Sequence, residues 1–118
     1  MIRSGVMATA LASVLLASCG TGTDLSATAA EGQRLAQELG CTSCHTGQAG
    51  AGPDWEGVWG TTRELADGST EVFDSTYVRS SLSDPSSQVV AGFQAILPTF
   101  SLSETQVEAI IAFLEEAE

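Results

Sequence analysis

The sequence predicts a mostly α-helical domain carrying one short β-hairpin. Three observations lead there. Apolar residues recur at helical spacing in residues 28–39 and again in residues 107–114. Side chains suited to capping stand just before the helical stretches, at Asp74 and Ser103. Asp67-Gly68, a strong hairpin-turn pair, separates two short runs that suit strands. A chain of 118 residues allows one such domain and not two.

Taken in order, residues 28–39 form the first helix. Gly32, Leu35, Ala36 and Leu39 fall at i, i+3, i+4 and i+7, so they share one face. Gly40 suits the position just past a helix end. Gly32 lowers helix propensity, and a glycine so placed permits another element to approach closely. Residues 47–60 read as a loop, with Gly50, Gly52, Pro53, Gly57 and Gly60 as breakers. Residues 62–66 and 69–73 are the expected strands about a two-residue turn at Asp67-Gly68. Asp74 caps a short helix over residues 75–82, which Asp84-Pro85 ends. Residues 86–102 are mostly loop, with Val89 and Val90 reaching the core. Ser103 and Gln106 make a capping box for the last helix, whose apolar stripe is Val107, Ile110, Ile111 and Leu114. Glu115, Glu116 and Glu118 stand where the helix dipole disfavours acid, and the sequence suggests a solvated, frayed end.

Charge narrows the class. There are 15 acidic residues against four arginines, with no lysine, and the net charge is −11. Such a balance excludes a nucleic-acid footprint, which needs a basic face, and a polybasic membrane patch. It would steer a protein partner with a basic docking face toward the chain. Hydrophobic content of 43% excludes disorder by composition.

Residues 1–18 read as an export signal: Arg3, then an apolar run of small residues, then Leu16-Ala17-Ser18 before Cys19. The run falls short of the roughly 20 residues a bilayer span needs. Leu16 to Cys19 resembles the bacterial lipobox, in which the cysteine is acylated and becomes the new N-terminus. An ordinary signal peptide with an incidental cysteine is the alternative. Residues 19–27 then form a lipidated cysteine and a flexible tether rich in Gly, Thr, Ser and Ala. Residues 28–118 form the folded domain. The expected location is the periplasmic or extracytoplasmic face of a bacterial membrane, reached by export and held by lipid.

Cys41-Thr42-Ser43-Cys44-His45 carries the chemistry. Two thiols three positions apart can each add to one vinyl group of the same haem, and the adjacent histidine then lies under the iron. C-x-x-C-H spacing marks covalent haem attachment. A zinc site would want further Cys or His ligands, and residues 46–118 contain none. A thioredoxin-like pair would want a βαβ context, and none is visible.

With these residues in place the chain resembles class I cytochromes c, and within them the cytochrome c domains fused to subunit II of haem–copper oxidases. The resemblance spans residues 28–116. It rests on the helix before the C-x-x-C-H motif, Gly52-Pro53, the Asp67-Gly68 hairpin, Tyr77-Val78-Arg79, Asp84-Pro85, residues 90–93 and the terminal helix. It implies a class I cytochrome c fold, with three or more helices around one covalent haem c. It implies one-electron transfer with redox protein partners rather than enzymatic turnover. By the same resemblance Cys41 and Cys44 carry the thioether bonds and His45 is the metal ligand. Pro53 would present its carbonyl to the His45 imidazole, and Trp59 and Arg79 would lie near the haem propionates. Gly32 would let the first and last helices cross near Phe113. Trp59 and Tyr77 would serve equally as core aromatics.

One position departs from that pattern. In the family a Met-Pro-Ser/Thr-Phe loop supplies the distal iron ligand, whereas this chain reads Leu97-Pro98-Thr99-Phe100. Leucine cannot coordinate iron. The only methionines, Met1 and Met7, lie in the expected signal, His45 is the only histidine, and lysine is absent. The expectation is an electron carrier lacking the methionine ligand, with Leu97 lining the distal side. A binder or sensor of NO or CO at an open distal site is the alternative. A drifted carrier, or a structural haem lipoprotein, fits the composition too.

Overall fold

A computed structural model of the chain describes residues 24–45, 47 and 50–117. The expected signal, Cys19 and Glu118 lie outside the described residues. The elements run α1 (Ala27–Glu38), α2 (Cys41–Cys44), β1 (Thr62–Glu64), β2 (Thr70–Val72), α3 (Ser75–Ser83) and α4 (Glu104–Glu116). The architecture is mostly helical with one antiparallel hairpin, as the sequence predicts. None of these helices is long and apolar enough to cross a membrane.

The frame is the crossing of α1 and α4. α1 buries Ala29, Gly32, Leu35 and Ala36. α4 buries Ala109, Ile110, Ile111, Phe113 and Leu114 against them. Gly32 sits at the contact. A Cβ built there would lie 1.8 Å from the Ala109 carbonyl oxygen and 2.8 Å from Phe113 Cβ. Hydrogen is the only side chain this approach allows.

Both helices are capped by local polar chemistry. The Ser103 hydroxyl accepts the Gln106 N–H at 3.3 Å, and the Gln106 side chain accepts the Ser103 N–H at 2.9 Å, completing the capping box. α1 starts earlier than the sequence suggests. Ser26, placed in the tether by composition, is its N-cap and accepts the Ala29 N–H at 3.1 Å.

The expected frayed end of α4 is also corrected. Glu116 accepts the Ser26 N–H at 2.8 Å and the Ser26 hydroxyl at 2.7 Å. Those bonds hold its carboxyl below the usual range. The charge disfavoured by its own helix terminus meets the positive end of α1 instead, a partner that only the crossing supplies.

The hairpin pairs Thr62 with Val72, Arg63 with Glu71 and Glu64 with Thr70. Leu65 N–H then bonds the Ser69 carbonyl at 2.8 Å, and Gly68 N–H bonds the Leu65 carbonyl at 3.0 Å. The connection is therefore three residues, 66–68, rather than the expected two. Gly68 takes a φ of 84°, the left-handed residue that closes such a loop. Val89 and Val90 extend the hairpin: Leu65 bridges Val90, and Ala66 N–H bonds the Val89 carbonyl at 2.8 Å.

Asp74 caps α3 by accepting the Tyr77 N–H at 3.0 Å, and Tyr77 and Val78 are buried beneath it. On the outer side of α3, Arg79 pairs with Glu104 at 2.6 Å and with Glu108, linking α3 to α4. These are solvent-exposed pairs, so each stabilises the fold only modestly.

Candidate haem-binding site

Gly40 ends α1 with a φ of 79° and starts the single turn of α2. That left-handed residue turns the chain so that Cys41 and Cys44 follow at once. Three positions apart on one helical turn, the two cysteines share a face. Both are partly buried and neither is in a disulfide. Burial pushes the Cys41 thiol up.

His45 follows, and its ring is fixed from three sides. Gly52 N–H bonds the Cys44 carbonyl at 3.1 Å, folding Gly52-Pro53 back over the histidine. His45 Nδ1 lies 2.6 Å from the Pro53 carbonyl oxygen. A carbonyl can only accept, so Nδ1 carries the proton and Nε2 keeps its lone pair for a metal. A Cβ at Gly52 would come within 2.8 Å of the imidazole, so the close fold-back requires glycine. Trp55 stacks on the ring at 4.4 Å and 8°, and Phe113 of α4 meets Trp55 edge-on at 6.0 Å. The histidine is thus oriented through Trp55 by the same helix crossing that forms the core. Burial pulls the His45 pKa below its ordinary value, with the Pro53 carbonyl opposing. The neutral ligand form is favoured at neutral pH.

Cys41, Cys44, His45 and Pro53 open onto one cavity of about 410 Å³. Its other walls include Leu82, Val89, Phe93, Ile96, Leu97 and Phe100. Ile96 is 56% exposed and marks the open side. The donor set and the walls fit haem c: sulfurs for the vinyl groups, an imidazole for iron, and apolar surface for the macrocycle. Leu97 is half-buried in that wall.

Two expected contacts are not brought to the cavity. Trp59 meets Phe73 edge-on at 5.7 Å in the core and does not line the cavity. Arg79 is held by Glu104 and Glu108 on the outer side of α3. The residues found in the cavity wall instead are Trp55 and Arg63. Sequence reasoning passed over both, though signals existed. Trp55 stands two positions after Pro53, where any fold-back onto His45 would place a ring. Arg63 shares its strand face with buried Leu65.

A small helical domain that presents two thiols and an oriented imidazole to one apolar cavity is a covalent haem protein. Residues 29–118 match the family described as Cytochrome c. The chain belongs to that family: it is an electron-transfer haem protein whose cofactor is haem c, and the Cys41/Cys44 spacing is consistent with its attachment. No curated protein matches the chain.

Proposed function

We propose that this protein is a lipid-anchored, one-electron carrier in which His45 is the only ligand that the polypeptide gives the haem iron. The observation that carries the reading is Leu97 in the cavity wall, in a chain whose described residues include no methionine, no lysine and no second histidine. Haem supplies the redox chemistry, cycling between ferric and ferrous states. The protein's residues do the rest. Cys41 and Cys44 would hold the macrocycle and His45 would offer Nε2 to the iron, while Pro53 and Trp55 keep the imidazole in one tautomer and one orientation. Leu97 would give the cofactor an apolar wall with no atom able to ligate iron. The partner is a redox protein with a basic docking face, and the resemblance to oxidase-fused domains makes an oxidase the first acceptor to try.

The apolar surroundings of Leu97 also favour a second reading, a binder or sensor of NO or CO. An optical spectrum of the reduced protein with and without CO tests the open site. A high-spin ferrous spectrum that shifts on CO addition supports it. A protein low-spin in both redox states that refuses CO overturns it. Fast electron exchange with an oxidase separates the carrier from the sensor.

The lipid anchor rests on the Leu16–Cys19 lipobox. More than one acyl chain gives stable attachment where a single chain is marginal. Cys19→Ser should therefore move the protein from the membrane fraction to the soluble fraction, or leave it unprocessed. Unchanged partitioning of the mature variant would count against acylation.

The acidic balance supports docking by charge. Association with a basic partner should slow as salt rises, because the Debye length shrinks from about 10 Å at 0.1 M to about 3 Å at 1 M. A rate indifferent to ionic strength would assign the charge to solubility alone.

A further inference from the structure

Trp55 and Phe113 line two separate hollows. One is the haem cavity. The other is a surface pocket of about 240 Å³, where the start of α1 meets the end of α4, and Leu25, Gln33, Glu56 and Glu116 also line it. Phe113 is buried, whereas Trp55 is only half-buried. Trp55 is therefore the group that joins the His45 ring to a second face of the protein.

Its geometry suits the passage of an electron. The indole lies nearly parallel to the imidazole, 4.4 Å between ring centres and 8° between planes. Electron tunnelling weakens steeply across gaps between atoms, and two stacked π systems leave little gap. The indole is also held still. Glu56 N–H bonds the Asp54 carboxylate at 3.1 Å, and Gly57 N–H bonds the Ala117 carbonyl at 3.1 Å, so the residues after Trp55 are pinned to the end of α4. Phe113 braces the ring edge-on.

Charge favours this face over the cavity mouth. The mouth is marked by exposed Ile96, and residues 85–103 carry no charged side chain. Nothing in that segment steers a charged partner. The pocket beside Trp55 has carboxylates at Glu56 and Glu116, and no basic residue lines it. A lysine or arginine entering it would lay its stem along the aromatic wall and bring its charge to the glutamates.

We propose that a basic redox partner docks at this pocket and that Trp55 bridges the electron's path between that partner and His45. This rests on the reading of the protein as a one-electron carrier. One electron leaves the ferrous protein and one arrives at the partner. It tunnels through the indole without residing there, so Trp55 stays neutral, and no proton or bond moves.

The test uses the holoprotein with a ruthenium bis-bipyridine photosensitiser bound to an introduced histidine, so no natural partner is needed. Gln33→His places the label at the pocket, and Thr70→His places it on the hairpin. Trp55→Leu should slow flash-induced transfer from the Gln33 label by an order of magnitude and leave the Thr70 label unaffected. Trp55→Phe keeps a ring on His45 but is shorter than indole, and should slow the Gln33 label severalfold with spin state and potential unchanged. Equal slowing at both labels, or a Phe variant as fast as the parent, would make Trp55 a structural prop and overturn the route. Slow transfer from both labels in the parent would overturn the carrier reading and the route with it. Docking is read separately by calorimetry with tetralysine as the basic probe. Glu56→Gln should weaken its binding about threefold, the scale of one exposed charge contact, and Glu71→Gln on the hairpin should not. Binding indifferent to Glu56, or equally weakened by both changes, would overturn the docking face.

Discussion

Leu97→Met is expected to turn the protein from a CO-binding, high-spin ferrous form into a low-spin one that resists CO. The variant places a thioether at the one cavity position where the family places its iron ligand. Leu and Met differ little in volume and both are apolar, so the exchange should cost under about 1.5 kcal/mol of stability. If the new thioether occupies the iron for about 99% of the time, the competent fraction falls to about 1%, and apparent CO affinity drops on the order of 100-fold. Methionine–histidine ligation also raises haem potential, so the midpoint should rise. Three readings check the outcome: spin state from the optical spectrum, the methionine–iron charge-transfer band near its red end, and CO titration of the ferrous form. A parent protein already low-spin and inert to CO would show that another ligand occupies the iron.

Gly32→Ala should be the most damaging small substitution in the domain. Propensity alone predicts the reverse, since alanine is better than glycine in a helix by about 1 kcal/mol. The α1–α4 crossing decides the sign. The added carbon would lie 1.8 Å from the Ala109 carbonyl oxygen and 2.5 Å from its carbonyl carbon, both backbone atoms that no rotamer change can move. The helices must separate, and the layer of Leu35, Ala36, Ile110 and Phe113 opens with them. Overpacking of this kind costs about 3 kcal/mol or more. For a domain of this size that lowers the melting temperature by roughly 12 °C or more. Because Phe113 braces Trp55 and Trp55 braces His45, the haem spectrum should loosen at the same time. Ala30→Gly, on the exposed side of the same helix, sets the scale at about 1 kcal/mol. If Gly32→Ala matched it or proved neutral, the close crossing would be refuted.

Secondary structure was legible wherever a short-range interaction decides it. Asp74 and Ser103 cap the helices they were expected to cap, because a side-chain oxygen reaching an N–H two or three residues on needs no tertiary partner. The apolar stripe of α4 and the close approach at Gly32 were readable for the same reason: helical period fixes which residues share a face. The hairpin was readable as a hairpin, but its register was not. Leu65 pairs with Val90, a strand neighbour distant in sequence, and the three-residue turn accompanies that bridge. Ser26 and Glu116 were both misplaced for a related reason. A serine in a polar stretch and a glutamate at a helix end look solvated until the crossing brings them together.

In the functional site, the sequence by itself determined the cofactor chemistry. Cys41, Cys44 and His45 are close in the chain, so their spacing alone dictates how they meet one haem, and the absence of a methionine at position 97 is a fact of composition. Tertiary structure alone decided what surrounds them. Which aromatic stacks on His45, and which arginine enters the cavity, depend on packing between segments that no local rule connects. Trp55 rather than Trp59 lies against the imidazole because Phe113 of α4 braces it there. Arg63 rather than Arg79 faces the cavity because α4 offers Arg79 two carboxylates and offers Arg63 none. Covalent attachment is written in neighbouring residues, whereas electrostatic environment is a sum over every element that folds against the site.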